Sequence, residues 1–205
     1  MTWELDFLNW INESLHGWEF LNVLLRYITA LGDGGFIWFV LGIVLVCIKK
    51  TRVCGLTMLA GMIVISGLNN YVVKLIVQRL RPMDVAGGEE LRAFAESVFT
   101  PIFTIGGKGF FGIPTGYSFM SGHTVSSCLS ATILFLYNKK IGIPAIVLGA
   151  TIALSRLYFG VHYPTDVLCG AAFGIGGAFL VTFVSRKIVA SIEKKKSLKT
   201  TRSIS

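Results

Sequence analysis

Charge is what this sequence has least of. Asp, Glu, Lys and Arg make up 15% of its 205 residues and hydrophobic residues 53%, where soluble domains carry ~25% charged and ~45–50% apolar residues. That balance excludes a disordered chain, which needs the reverse, and the length excludes two large soluble domains. Cysteine is also sparse. Cys47, Cys54, Cys128 and Cys169 lie in or beside apolar runs with no CxxC spacing, so neither a disulfide scaffold nor a zinc site is supported and they read as small buried hydrophobes. The start, MTWELDFLNW, lacks the cationic segment of a secretory signal and is acidic instead. With a mean hydropathy of +0.69, one membrane domain remains.

The formal charge of +8 does not indicate nucleic-acid binding. Residues 186–205 hold seven Lys or Arg and one Glu, so the last stretch alone supplies +6. A basic run after an apolar segment is the pattern of a cytoplasmic membrane flank.

A hydrocarbon core of ~30 Å needs about 20 helical residues. Residues 53–73, 120–137, 141–157 and 167–184 meet that need. Residues 32–48 do so with their glycine-rich start, and 18–31 are short and interrupted by Arg26. The expected fold is therefore all-α, a polytopic membrane helix bundle of about six spans. An N-terminal amphipathic helix at about 3–15 precedes them, with Trp3, Phe7, Trp10, Ile11 and Leu15 recurring at helical spacing. The domain is expected to end at 188, leaving 189–205 as a disordered basic cytoplasmic tail.

Lys49, Lys50, Arg52, Lys139, Lys140 and the basic tail all fall on one side if the spans alternate. By the positive-inside rule that side is the cytoplasm. The opposite, outer side receives 78–119, a loop and short-helix region between the third and fourth spans. Its four basic residues balance its four acidic ones, and a connection this long is usually functional. Phe94, Phe99, Phe103, Phe110 and Phe111 either dip into the lipid interface or cover the helix ends. The stretch 106–112 (GGKGFFG) resembles a phosphate loop but lacks the Ser or Thr after Lys108. Gly170 and Gly174, four apart in an apolar helix, fit close helix packing. His16 has no partner signal and reads as structural.

Ionisable residues at membrane depth are functional hypotheses by default. Three clusters fall on the outer side: Lys74 with Arg81-Pro82, then Ser121-Gly122-His123, then Ser155-Arg156 with His162 and Asp166. Lys74, Arg81 and Arg156 would repel one another unless an anion sits between them, and Arg presents a fork suited to phosphate oxygens. Ser121 and the N–H groups of Gly122 and His123 open a helix, and a helix N-terminus attracts anions. Asp166, four residues after His162, is placed to orient that imidazole for attack on phosphorus, and His123 to give a proton to the leaving oxygen. Taken singly each has a bland reading: an interfacial histidine, a cap, a helix-start carboxylate. Their joint occurrence on one face favours function. No His, Asp or Glu spacing fits a metal site, so no cofactor is expected.

These residues closely resemble the three-part signature of the type 2 phosphatidic acid phosphatase family, KxxxxxxRP, PSGH and SRxxxxxHxxxD. Lys74 to Arg81-Pro82 and Ser155-Arg156 to His162 and Asp166 keep the family's spacing. Ser121-Gly122-His123 follows Met120 where the family usually has proline, a departure that removes no group that does chemistry. The resemblance implies a phosphate pocket of Lys74, Arg81, Ser121, Gly122, His123 and Arg156. It also implies His162 as nucleophile, Asp166 as its partner and His123 as general acid. The spans favour the lipid phosphatases over the soluble acid phosphatases and vanadate-dependent haloperoxidases of the family. The chain is similar to small bacterial phosphatidylglycerophosphate phosphatases of the B type. That implies a multi-pass protein of the bacterial cell membrane acting on a lipid phosphate, with phosphatidylglycerol phosphate the leading substrate and undecaprenyl pyrophosphate the alternative. A lipid transporter would place its site near the bilayer midplane on broken helices, whereas these residues sit at span ends.

Overall fold

Apolar residues recur at helical spacing along most of the chain, and helices dominate the computed structural model, which describes residues 2–99, 103–105, 108–110 and 112–202. α1 (Thr2–Leu15) and α2 (Glu19–Leu31) lead through a turn at Asp33–Gly35 into α3 (Phe36–Cys47). α4 (Arg52–Gly61) continues through two π-helical turns, Met62–Ser66 and Asn69–Val73, into the short α5 (Lys74–Val77). A 3-10 turn at Pro82–Asp84, α6 (Glu89–Val98) and a small hairpin of β1 (Phe103–Ile105) and β2 (Lys108–Phe110) occupy the long connection. α7 (Gly122–Tyr137), α8 (Lys139–Tyr158) and α9 (Pro164–Arg202) complete the bundle.

Helices stand at all six expected span positions, but they are not six equivalent rods. Among the described residues three are long and apolar enough to cross a bilayer alone: Arg52–Asp84, Lys139–Tyr158 and Pro164–Leu198. α2 and α3 pass that test only as a pair, bent by 44° at their junction. At 1.5 Å per residue their 13 and 12 residues reach only about 18–20 Å each. α7 has 16 residues, and its Val125, Leu129, Ile133 and Leu134 are buried. It is a central helix sheathed by protein, so lipid thickness does not dictate its length. Outward-facing Ile63, Tyr71, Ile76, Leu168, Phe179 and Phe183 supply the apolar exterior.

The tail departs from its sequence expectation. Residues 189–205 were expected to be disordered, yet α9 runs unbroken to Arg202. Beyond Gly177 it meets no glycine or proline, and Lys, Ala, Ile and Glu all sustain a helix that has already been nucleated inside the bundle.

Two cores hold the bundle. The larger joins Trp38, Met58, Met62, Leu129, Ile133, Leu134 and Ile152. The smaller packs Leu8 and Ile11 of α1 and Leu91 of α6 against Phe159, Val161 and Tyr163, in the connection between α8 and α9. The apolar stripe of α1 is therefore divided. Leu8 and Ile11 face the protein, while Trp3, Phe7 and Trp10 stay exposed, as suits a helix lying between protein and interface. Phe99 is buried edge-on to Phe159, and Phe94 stacks on Phe159 and on His16. These two rings cover helix ends rather than reach outward. The side chains of Phe103, Phe110 and Phe111 lie outside the described residues, as do Gly106, Gly107 and Phe111 of the GGKGFFG stretch, of which the β2 backbone and Gly112 are described. His16 is structural, its Nε2 lying 2.6 Å from the Tyr158 carbonyl.

α9 approaches α7 through Gly170 and Gly174, where an added Cβ would come within 3.2 Å of the Ser121 carbonyl oxygen and 2.6 Å of that of Val125. This contact sets the start of α7 beside the start of α9. Gly174→Val is expected to destabilise the protein by about 1–3 kcal/mol through overpacking, read as a lower Tm in detergent. An unchanged Tm would show that the helices are free to part.

Candidate active site

The three clusters, separated by up to 92 residues in sequence, meet at one end of the bundle, opposite the Lys49–Lys50 and Lys139–Lys140 turns. They surround a cavity of about 180 Å³ lined by Lys74, Arg81, Gly122, His123, Arg156 and His162, with Met62, Ser66, Asn70 and the glycines of the α2–α3 turn completing the wall. That volume lies below the ~300–1,000 Å³ of drug-sized ligand sites, so it suits a compact anionic head rather than a whole lipid.

One wall is a straight stripe: Met62, Ser66, Asn70 and Lys74 recur every fourth residue. In an α-helix, with 3.6 residues per turn, such a row would drift around the axis. The wider π turns at Met62–Ser66 and Asn69–Val73 offset the drift and keep Lys74 aimed at the cavity. Lys74 is the first residue of α5, and Arg81 follows where the chain turns to extended conformation before Pro82.

Arg81 is buried and held on several sides. Its Nε donates to the Gly116 carbonyl (3.0 Å), Nη2 to that of Thr115 (3.1 Å) and Nη1 to that of Val161 (2.9 Å). Nη1 also lies 3.2 Å from His162 Nε2. A guanidinium only donates, so Nε2 accepts, carries the lone pair, and leaves the ring proton on Nδ1. Nδ1 stands 3.5 Å from Asp166 Oδ2. Burial, with Arg81, Arg156 and Lys74 nearby, holds His162 well below the usual histidine range. The imidazole is therefore neutral at physiological pH, with its lone pair on the nitrogen nearest the cavity cations.

Asp166 and Ser121 stand behind the cavity wall. Asp166 Oδ2 accepts from the Tyr163 N–H (2.9 Å) and Oδ1 from Arg79 Nη1 (2.7 Å). The Ser121 N–H donates to the Asp166 carbonyl (3.2 Å), and its hydroxyl accepts from Thr124 (3.0 Å). The cavity is met by Gly122 and His123, at the first turn of α7. Met120, in the place of the family's proline, is bracketed by the buried Asn69, whose Nδ2 donates to the Met120 carbonyl (3.2 Å) and whose Oδ1 accepts its N–H (3.4 Å). Proline has no such N–H, so the departure at Met120 supplies the second half of the bracket.

Sequence reasoning missed three further partners. His123 Nε2 lies 2.7 Å from Asp33 Oδ1. Arg156, fully buried, donates to Thr29 Oγ1 (2.6 Å). Gly32 lets the α2–α3 turn close on the site, since a Cβ there would meet His123 Cδ2 and Ile152 Cγ2 at 2.7 Å. The only local signal was the run Gly32-Asp33-Gly34-Gly35, a turn pattern with an acidic residue inside. Among the described residues no three His, Cys, Asp or Glu gather as metal ligands do.

Buried cations, a helix start and a neutral histidine around a head-sized cavity in a bundle of apolar helices describe a membrane lipid phosphatase. Comparison with known proteins agrees. The PAP2 superfamily profile matches residues 55–189, and the chain belongs to that superfamily. It is 28% identical over 161 residues to an undecaprenyl-diphosphatase of Sulfolobus acidocaldarius, covering 78% of this chain and 68% of that one. It is 33% identical over 85 residues to phosphatidylglycerophosphatase B of Bacillus subtilis, covering 36% of this chain and 42% of that one. In structure it resembles the transmembrane PAP2-type phosphatidylglycerolphosphate phosphatase of Bacillus subtilis, with a TM-score of 0.64 and 25% identity over 91% of this chain and 86% of that one.

Proposed function

We propose that the protein removes the terminal phosphate of phosphatidylglycerol phosphate to give phosphatidylglycerol, through a phosphohistidine intermediate and without a metal. The observation that carries this reading is the neutral His162 imidazole, with Nε2 turned to the cavity cations and Nδ1 toward Asp166. Lys74, Arg81 and Arg156 with the N–H groups of Gly122 and His123 hold the phosphate oxygens, while Ser121 supports the turn from behind. When a phosphate oxygen takes the Arg81 N–H, the Nε2 lone pair is released toward phosphorus. The N–P bond forms as the bond to the leaving oxygen breaks. His123, paired with Asp33, passes its proton to that oxygen. Water then attacks the phosphohistidine, His123 takes the proton back, and phosphate and free His162 result.

The match in length and fold to the Bacillus subtilis phosphatidylglycerolphosphate phosphatase supports that substrate. A second reading, undecaprenyl pyrophosphate, is favoured by the longer sequence match to the Sulfolobus enzyme and needs the same chemistry with a lipid monophosphate as leaving group. By the positive-inside rule, the basic turns and tail support a site on the outer face of the membrane and a C-terminus in the cytoplasm. Phosphate release by the protein in detergent, with both lipids side by side and a chelator present, tests the reading. Release from the first at the higher rate supports it, a higher rate on the pyrophosphate replaces the substrate, and release from neither overturns it.

The lowered His162 pKa carries its own expectation. The acid limb of kcat/KM reports protonation of the free enzyme's nucleophile and should lie below pH 6.5, the ordinary histidine value. A limb centred at or above that value would count against a neutral His162 as nucleophile.

A further inference from the structure

Outside the signature, one buried ionic network touches the site. Arg79 Nη1 donates to Asp166 Oδ1 (2.7 Å) and to Thr165 Oγ1 (2.7 Å), and Nη2 to Glu4 Oε2 (2.6 Å). Its guanidinium carbon sits 3.8 Å from the centroid of the Tyr163 ring. Glu4 Oε1 in turn accepts from the Thr165 N–H (3.1 Å) and hydroxyl (2.7 Å). Glu4 lies in the first turn of α1 and is 4% exposed, while Trp3 beside it is 58% exposed. A surface helix turning a carboxylate inward needs a reason, since a buried charge is costly unless paired. Burial alone would raise the Glu4 carboxyl, yet the bonds from Thr165 and Arg79 bring it below the ordinary carboxylate value.

Resting on the proposed roles of His162 and Asp166, we infer that Arg79 and Glu4 are positioning residues for the reaction: Arg79 fixes Asp166 toward His162, and Glu4 fixes Arg79. Asp166 has two oxygens. Arg79 holds Oδ1, which leaves Oδ2 to the Tyr163 N–H and the His162 ring. Arg79 is spent on carboxylates, does not line the cavity, and so is no fourth phosphate ligand. Glu4 neutralises it, so the cation that orients Asp166 does not also suppress the basicity of His162. By this arrangement α1 contributes to the active site as well as to the membrane surface. The charged groups facing His162 are then Asp166 with Arg79 and Glu4 behind it, Arg81 and Lys74 from the α5 side, and Arg156 and His123 from α8 and α7.

The test uses the full-length protein in detergent and reads kcat, KM and the pH profile together with Tm. Arg79→Gln should lower kcat about 10–100-fold, the usual cost of losing an orienting partner, with KM within about twofold. Losing a cation beside the pair should also move the acid limb to higher pH. Glu4→Gln keeps shape and drops the charge. It should lower kcat less and move the limb to lower pH, because Arg79 is left uncompensated. Arg79→Lys keeps the charge without the fork, so kcat should fall while the limb stays near wild type. Limbs that stay put or move the same way in Arg79→Gln and Glu4→Gln overturn the inference, as do unchanged kcat values or changes confined to KM. If Arg79→Gln does not fold, Glu4→Gln and Arg79→Lys carry the test. His162→Ala in the same assay separates the two levels. Activity retained there sinks the catalytic reading itself, whereas a dead His162→Ala beside wild-type Arg79 and Glu4 variants sinks only this inference.

Discussion

His162→Ala is expected to lower phosphate release by on the order of 10⁴-fold or more, the scale of loss when a covalent nucleophile is removed. The side chain is buried, and its two nitrogens lie 3.2 Å from Arg81 Nη1 and 3.5 Å from Asp166 Oδ2. Truncation therefore leaves that cation and that carboxylate facing an empty volume. Binding should survive better than turnover, because Lys74, Arg156 and the start of α7 still line the cavity. Phosphate labelling separates a true nucleophile from a structural histidine. Brief exposure of wild type to labelled substrate should leave acid-labile phosphate on the protein, and the variant should carry none. Label of equal amount on both would move the covalent step elsewhere.

His123→Asn should show a loss that depends on the leaving group. General acid catalysis contributes about 10²–10⁴-fold where the leaving oxygen is poor, as in a lipid alkoxide. An aryl phosphate such as p-nitrophenyl phosphate leaves as a stable phenolate and needs little proton assistance. The variant should therefore lose about 10²–10⁴-fold on the lipid and far less on the aryl ester. Equal losses on both would make His123 a phosphate ligand rather than the acid. Asp33 Oδ1, 2.7 Å from its Nε2, is the carboxylate beside the ring in either role.

Much of the site was legible because its signature residues fall in three short local patterns. Lys74 to Arg81, Ser121 to His123 and Arg156 to Asp166 each have fixed spacing, and the charge pattern put all three at one end of the bundle. The helical elements were legible for the same reason, since apolar periodicity is local. The number of independent spans was not. Whether α2 and α3 are two rods or one bent pair depends on the angle at Gly32, and whether α7 meets lipid depends on what surrounds it. The tail was misjudged on composition, because a basic segment reads as disordered until a preceding helix nucleates it.

By itself, then, the sequence determined the class of protein, the helical bundle and the three signature clusters that meet at one end of it, since each rests on residue type and short-range spacing. Only the tertiary structure decided which partners those residues have. Asp33 meets His123 across 90 positions, Thr29 meets Arg156 across 127, and Glu4 reaches Thr165 across 161. Such pairs leave no periodic or local trace. They come into being when packing of the helices, through contacts such as Gly174 on Val125 and Leu8 on Phe159, brings distant segments within hydrogen-bond reach.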